Sequence, residues 1–207
     1  MIQQAARTCG REDSNPMTTV VHITKDKIEA CDNYRFFRAT LKTGFKTPVM
    51  IPASSLLALD GQVLLSASQG EGWIHFKTDT GHEISCRCTH GNYANVDSIL
   101  KIKSSEDVVL PPNLGEMSGR AEVMAINDGV AFVKIRIEDK QLTIESRKDS
   151  GWYREKKRVK YDGPALGFEV NPKFLSDVLE RTRKVKIGDG KMKLEVDNIQ
   201  FVVCLEV

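Results

Sequence analysis

Along residues 166–182, LGFEVNPKFLSDVLERT, the residues Leu166, Phe168 and Val170 alternate with small or charged ones, which predicts a half-buried strand. Asn171 supplies a helix N-cap, and Pro172 stands at the first helical position, where its missing N–H costs nothing. Phe174, Leu175, Val178 and Leu179 follow at helical spacing, with Lys173, Asp177, Arg181 and Lys184 towards the other face. A strand therefore turns sharply into an amphipathic helix. About 120 residues earlier the pattern recurs in VMIPASSLLAL, residues 49–59. Val49 and Ile51 alternate, Pro52 marks the turn, and Leu56, Leu57 and Leu59 make the apolar side of a short helix.

Other elements repeat at a similar offset. Val20–Ile23 with the turn Thr24–Lys27 matches Phe132–Ile137 with the turn Glu138–Lys140, and each turn feeds another alternating strand. Helical patterns precede both: Ile2, Ala5, Ala6 and Cys9 in the first, Met117, Ala121 and Met124 in the second. The chain thus reads as two copies of one helix–strands–helix–strands unit. The first helix is expected over Met1–Asp13 and the helix of the second copy to about Asn127. Between the 49–59 unit and Arg87 the alternation predicts antiparallel strands broken at Gly70–Gly72 and Thr80–Gly81. The segment from His90 to Asp107 is expected to connect the copies. Strands near 184–187, 191–196 and 199–206 end the second. The last contains Phe201–Leu205, an apolar run that needs a sheet partner or a partner protein.

Composition changes this picture little. With 207 residues and 41% hydrophobic positions, two modest cores can be buried. Lys plus Arg number 30 against 28 acidic residues, so a polyanion-binding face has to come from placement, not from excess. Gln3, Arg7 and Arg11 recur on one helical face, either as a solvated stripe or as a phosphate-facing one. Residues 147–160 hold Arg147, Lys148, Arg154, Lys156, Lys157, Arg158 and Lys160, which reads as a solvated strand and turn or as a nucleic-acid loop. The five cysteines lack C-x-x-C spacing and read as small buried hydrophobes of a reducing compartment. No apolar run reaches about 18 residues, so a cytoplasmic protein without membrane contact is expected.

Catalytic chemistry has little support. The histidines His22, His75, His82 and His90 are scattered, and no metal-ligand spacing, P-loop, G-x-S-x-G or paired-carboxylate motif occurs. Asp32 beside Arg35 reads either as an acid with an electrostatic partner or as a turn aspartate. No enzyme activity, metal or cofactor is expected.

The order of segments carries a resemblance. Ala30-Cys31-Asp32-Asn33-Tyr34-Arg35-Phe36 is followed by the 49–59 unit and Thr89-His90-Gly91-Asn92-Tyr93-Ala94-Asn95. Asn171-Pro172-Lys173-Phe174-Leu175-Ser176-Asp177 and the terminal Phe201-Val202-Val203 come after these. This arrangement resembles the second and third domains of the bacterial DNA polymerase III beta subunit, the sliding clamp. The resemblance implies an α+β fold of two tandem clamp domains, residues 1–95 (first strand missing) and 96–207, with antiparallel sheets outside and paired helices on the DNA-facing side. It implies a processivity factor that encircles duplex DNA without reading sequence and binds peptides of polymerases, clamp loaders and repair proteins. The alternatives are a non-encircling peptide adaptor and an enzyme on a similar repeat.

By position, the resemblance assigns peptide binding to Cys31, Asn33, Tyr34, Arg35 and Phe36, to Ser98 and Ile99, to Asn171 and Phe174, and to Val202, Val203, Cys204, Leu205 and Val207. DNA contact falls to Arg7, Arg11, Arg120, Lys173, Arg181 and Lys184 on the helices. The chain departs from the family at Asn33 and Tyr34, where Gly and His are usual, and at Ala94, where Pro is usual. The family's first domain has no counterpart. A fragment, a compact viral-type clamp, or a two-domain chain closing as a homotrimeric ring of six domains would each account for that.

Overall fold

The computed structural model describes residues 1–10, 15–127 and 130–206. Two compact units result, one of residues 1–99 with 197–200 and the other of residues 100–196 with 201–207.

In unit 1, α1 (Ile2–Thr8) and a 3-10 turn (Pro16–Thr19) precede β1 (Val20–Ile23), β2 (Lys27–Cys31), β3 (Arg35–Thr40) and β4 (Val49–Pro52). These strands pair antiparallel in the order β4-β1-β2-β3. After α2 (Ala53–Leu57), the strands β5 (Leu64–Gly70), β6 (Trp73–Thr78) and β7 (Glu83–Arg87) form a three-stranded sheet. Helices of seven and five residues do not persist alone in water. They are held by packing: α1 lies against α2, β2 and β3, and the Gln3 amide donates to the Leu59 carbonyl at 2.8 Å.

Unit 2 begins with β8 (Glu106–Val109) and α3 (Leu114–Glu122), followed by the short ladder of β9 (Ile126–Asn127) with β10 (Val130–Ala131). Then come β11 (Val133–Glu138), β12 (Gln141–Lys148), β13 (Gly151–Arg158) and β14 (Leu166–Val170), in sheet order β13-β12-β11-β14. After α4 (Pro172–Leu179), the strands β15 (Lys184–Gly188), β16 (Lys191–Val196) and β17 (Ile199–Cys204) continue in the order β8-β15-β16-β17. Helix α4 packs on α3. Its Asn171 caps the helix by accepting from the Lys173 N–H at 2.9 Å, with Pro172 in the first turn.

The duplication is visible in the pairing. The β1-β2-β3 meander corresponds to β11-β12-β13, β4 with α2 to β14 with α4, and β5-β6-β7 to β15-β16-β17. Strand β8 pairs with β15, whereas among the described residues β5 pairs with β6 alone.

Both helices expected at the start of the copies are shorter than their periodicity suggests. The helix α1 stops at Thr8, and Arg11–Ser14 lie outside the described residues. The chain leaves α3 after Glu122 because Val123–Ala125 turn and the backbone at Ile126–Asn127 enters a ladder. Hairpin turns are tight. Asp139 and Lys140 both take positive φ (49° and 61°), the two-residue geometry whose twist matches the flanking strands.

Candidate functional site

The turn between β2 and β3 is fastened by Asp32. One carboxylate oxygen accepts the backbone N–H of Tyr34 at 2.8 Å and of Arg35 at 2.5 Å, and the other binds the Arg35 guanidinium at 2.7 and 2.9 Å. Asp32 therefore organises the turn, and its charge is spent on Arg35. Asn33 and Tyr34 project, with Tyr34 52% exposed. Cys31 and Phe36, assigned to a peptide surface by position, are instead buried, Phe36 to 1%. They are cross-strand partners in the β2–β3 ladder, which turns both side chains away from solvent. Arg35 is likewise committed to Asp32.

Beside this turn sits a charged network that the sequence did not disclose. Glu29, on β2, has a side chain only 2% exposed. It accepts from the Arg38 Nε at 2.7 Å and the Lys27 ammonium at 3.1 Å, and lies 3.2 Å from His22 Nδ1. Burial alone would raise its pKa, but the His22 and Arg38 hydrogen bonds, the Arg38 charge and the Lys27 hydrogen bond override this and hold the carboxyl at about 2. Arg38 also reaches Asp97 at 2.6 Å. Tyr93 stacks on His22 with ring centroids 4.4 Å apart, and its hydroxyl lies 3.5 Å from the Cys31 thiol. Burial, then the neighbouring Cys31, pushes the Tyr93 phenol upward. Through Tyr93 and Asp97 the network pins residues 89–99 to the β1–β3 meander, leaving Ser98 exposed and Ile99 half-buried.

In unit 2, Asn171 and Phe174 are half-buried at the start of α4. Val202 and Val203, expected to line a surface, are buried within β17; Cys204 is exposed and Leu205 is buried. The tail is not frayed. The Leu205 N–H donates to the Gly190 carbonyl at 2.8 Å, and Glu206 exchanges backbone hydrogen bonds with Glu169 at 2.7 and 3.1 Å. Val207 lies outside the described residues.

The six cations assigned to DNA have diverse surroundings. Arg7 is exposed but paired with Asp60 at 3.1 Å. Arg11 is outside the described residues. Arg120 makes a bidentate bond to Glu155 at 2.8 and 3.0 Å and donates to the Tyr153 hydroxyl at 3.1 Å. Those bonds raise the guanidinium pKa, and the Tyr153 and Arg120 hydrogen bonds lower that of Glu155. Arg181 and Lys184 are not on the helix as expected, because α4 ends at Leu179. The Arg181 guanidinium lies 4.6 Å from the Phe201 ring centroid, and Lys184 opens β15 opposite Val109. Lys173 alone is exposed on a helix without an ion pair among the described residues, and Glu116 and Glu180 are exposed on α3 and just after α4. Sequence spacing placed these cations on faces but could not show their carboxylate partners.

No known family profile and no curated protein matches the chain. Solved structures do. A Pseudomonas aeruginosa DNA polymerase III beta subunit matches with a TM-score of 0.82 at 18% identity, covering 100% of this chain and 63% of that one. The Bacillus subtilis sliding clamp matches at 0.82 and 19% identity, with 100% and 61% covered. The Streptococcus pneumoniae beta chain matches at 0.79 and 20% identity, again with 100% and 61% covered. The chain thus has the fold of the bacterial sliding clamps and spans about three-fifths of the length of these structures.

Proposed function

We propose that the chain is a non-enzymatic sliding-clamp module, with clamp domains over residues 1–95 and 96–207. It holds duplex DNA without reading sequence and binds linear peptides of polymerase and clamp-loader type. The observation that carries this reading is the fold correspondence over the whole chain, with a TM-score of 0.82. Within each unit a pair of packed helices accompanies the antiparallel sheets, which supports it further. Lys173 is the exposed helical cation left without an ion pair among the described residues for phosphate contact, and few, weak contacts suit a protein that must slide. Encirclement requires copies to close head to tail into a ring.

The test is retention on DNA. Filtered with nicked circular duplex at low salt, the chain is expected to travel with the circle and to be released when the circle is linearised. Equal retention on circular and linear DNA would overturn encirclement. Retention on neither, with peptide binding intact, would establish the second reading, a peptide adaptor. The carboxylate partners of Arg7 and Arg120 favour that reading.

For peptides, unit 1 offers Asn33, Tyr34, Ser98 and Ile99, and unit 2 offers Asn171, Phe174 and Cys204. Aromatic anchors carry much of the energy of such contacts. Phe174→Ala and Tyr34→Ala are each expected to weaken a fluorescent polymerase-tail peptide by about tenfold in anisotropy titrations. Unchanged affinity in both variants would place the site elsewhere.

A further inference from the structure

The sheet face of β13 and β12 in unit 2 has no role in the reading above. Side chains alternate across a strand, so Trp152, Arg154, Lys156 and Arg158 share one face of β13, and all four are exposed. The ladder sets Arg147 opposite Trp152, Glu145 opposite Arg154 and Thr143 opposite Lys156. Arg154 is paired to Glu145 at 2.7 Å and its guanidinium lies 5.6 Å from the Trp152 ring centroid. Among the described residues Arg147, Lys156 and Arg158 make no ion pair. Trp152 is 67% exposed and, with Phe132 and Arg147, lines a groove of about 700 Å³. Two carboxylates share the groove: Arg154 holds Glu145, and Lys134 is the cross-strand partner of Glu169.

We propose that this face is a binding site for single-stranded nucleic acid, in which a base stacks on Trp152 and the following phosphates run along Arg147, Lys156 and Arg158. An exposed indole flanked by guanidinium groups offers a planar, sequence-tolerant stacking surface, and the unpaired cations supply charge for the backbone. Outward residues of β13 repeat about every 6.8 Å, a step that one nucleotide of an extended strand spans. A duplex hides its base faces and cannot use the indole. An acidic peptide satisfies the cations but brings no planar ring. The site is distinct from the helical cations and from the peptide residues above, and it needs no ring.

Anisotropy of the full chain with a fluorescent oligothymidylate of about 15 nucleotides, titrated at several salt concentrations, tests this. Trp152→Ala is expected to weaken binding by about tenfold or more, the loss of one stacked base. The triple variant Arg147→Ala, Lys156→Ala, Arg158→Ala is expected to flatten the slope of log K against log salt by about 2. In a Trp73→Phe background the remaining Trp152 fluorescence should be quenched on binding. All these positions are exposed, so melting temperatures should match the wild type. Competition by unlabelled oligothymidylate or oligouridylate, but not by an equal length of duplex or by polyglutamate, supports the proposal. No binding by the wild type, unchanged affinity of Trp152→Ala, or equal competition by polyglutamate would each overturn it. Circular-duplex retention is a separate readout, so failure here leaves the clamp reading standing, and the reverse.

Discussion

Glu29→Ala is expected to destabilise unit 1 by about 3–5 kcal/mol, because it leaves Arg38, Lys27 and His22 gathered around a site without its carboxylate. The chain has two tryptophans, Trp73 in unit 1 and Trp152 in unit 2. In a Trp152→Phe background, urea unfolding followed by Trp73 fluorescence reads unit 1 alone. A loss below about 1 kcal/mol would show that Arg38 is satisfied by Asp97 and that the network is dispensable. The same residue sets a pH dependence whose sign is fixed. The folded-state pKa of Glu29 is about 2, lowered from 4.5, so the folded state favours the carboxylate. Its contribution is fully present above about pH 4.5 and is lost as pH falls towards 2. Such a shift corresponds to about 3 kcal/mol. Between about pH 5 and 3 the unfolding midpoint of unit 1 should fall more steeply in the wild type than in Glu29→Gln. Parallel curves would remove Glu29 as the cause.

Gly188→Ala is expected to cost unit 2 about 3 kcal/mol, the upper end for overpacking. A Cβ at this position would overlap the Ser104 carbonyl oxygen and sit 2.8 Å from the Ser105 Cα, and both are backbone atoms. No rotamer change relieves that contact. The segment entering β8 must move, although the Lys103 N–H donates to Asp189 at 2.6 Å and Ile187 pairs with Glu106. Glycine in this strand permits a close backbone approach. Trp152 fluorescence in a Trp73→Phe background measures the loss, and amide exchange at Val108 and Val109 should rise with it. Wild-type stability would mean that residues 103–105 shift freely.

What the sequence by itself determined is what depends on near neighbours. The strand Leu166–Val170, its Asn171 cap and the helix from Pro172 stand where alternation, capping and helical spacing put them, since each signal lies within a turn or two of chain. The second copy of that unit, Val49–Leu57, follows from the same rules, and with it the duplicated α+β plan. Tertiary structure alone decided which polar groups are free. Arg120 finds Glu155 35 residues away and Arg7 finds Asp60 53 away, and no periodic pattern carries such partners. Phe36 reads as a candidate contact residue in sequence, yet its place opposite Cys31 in the ladder buries it. Glu29 stands between Ile28 and Ala30 as an ordinary strand residue, and only the meander that brings His22 and Arg38 beside it makes it a buried anion. The basic run of 147–160 had two readings for the same reason. Charge is local to the sequence, but its neutralisation depends on cross-strand register, and the β12–β13 ladder pairs Arg154 with Glu145 while it leaves Arg147 beside the exposed Trp152.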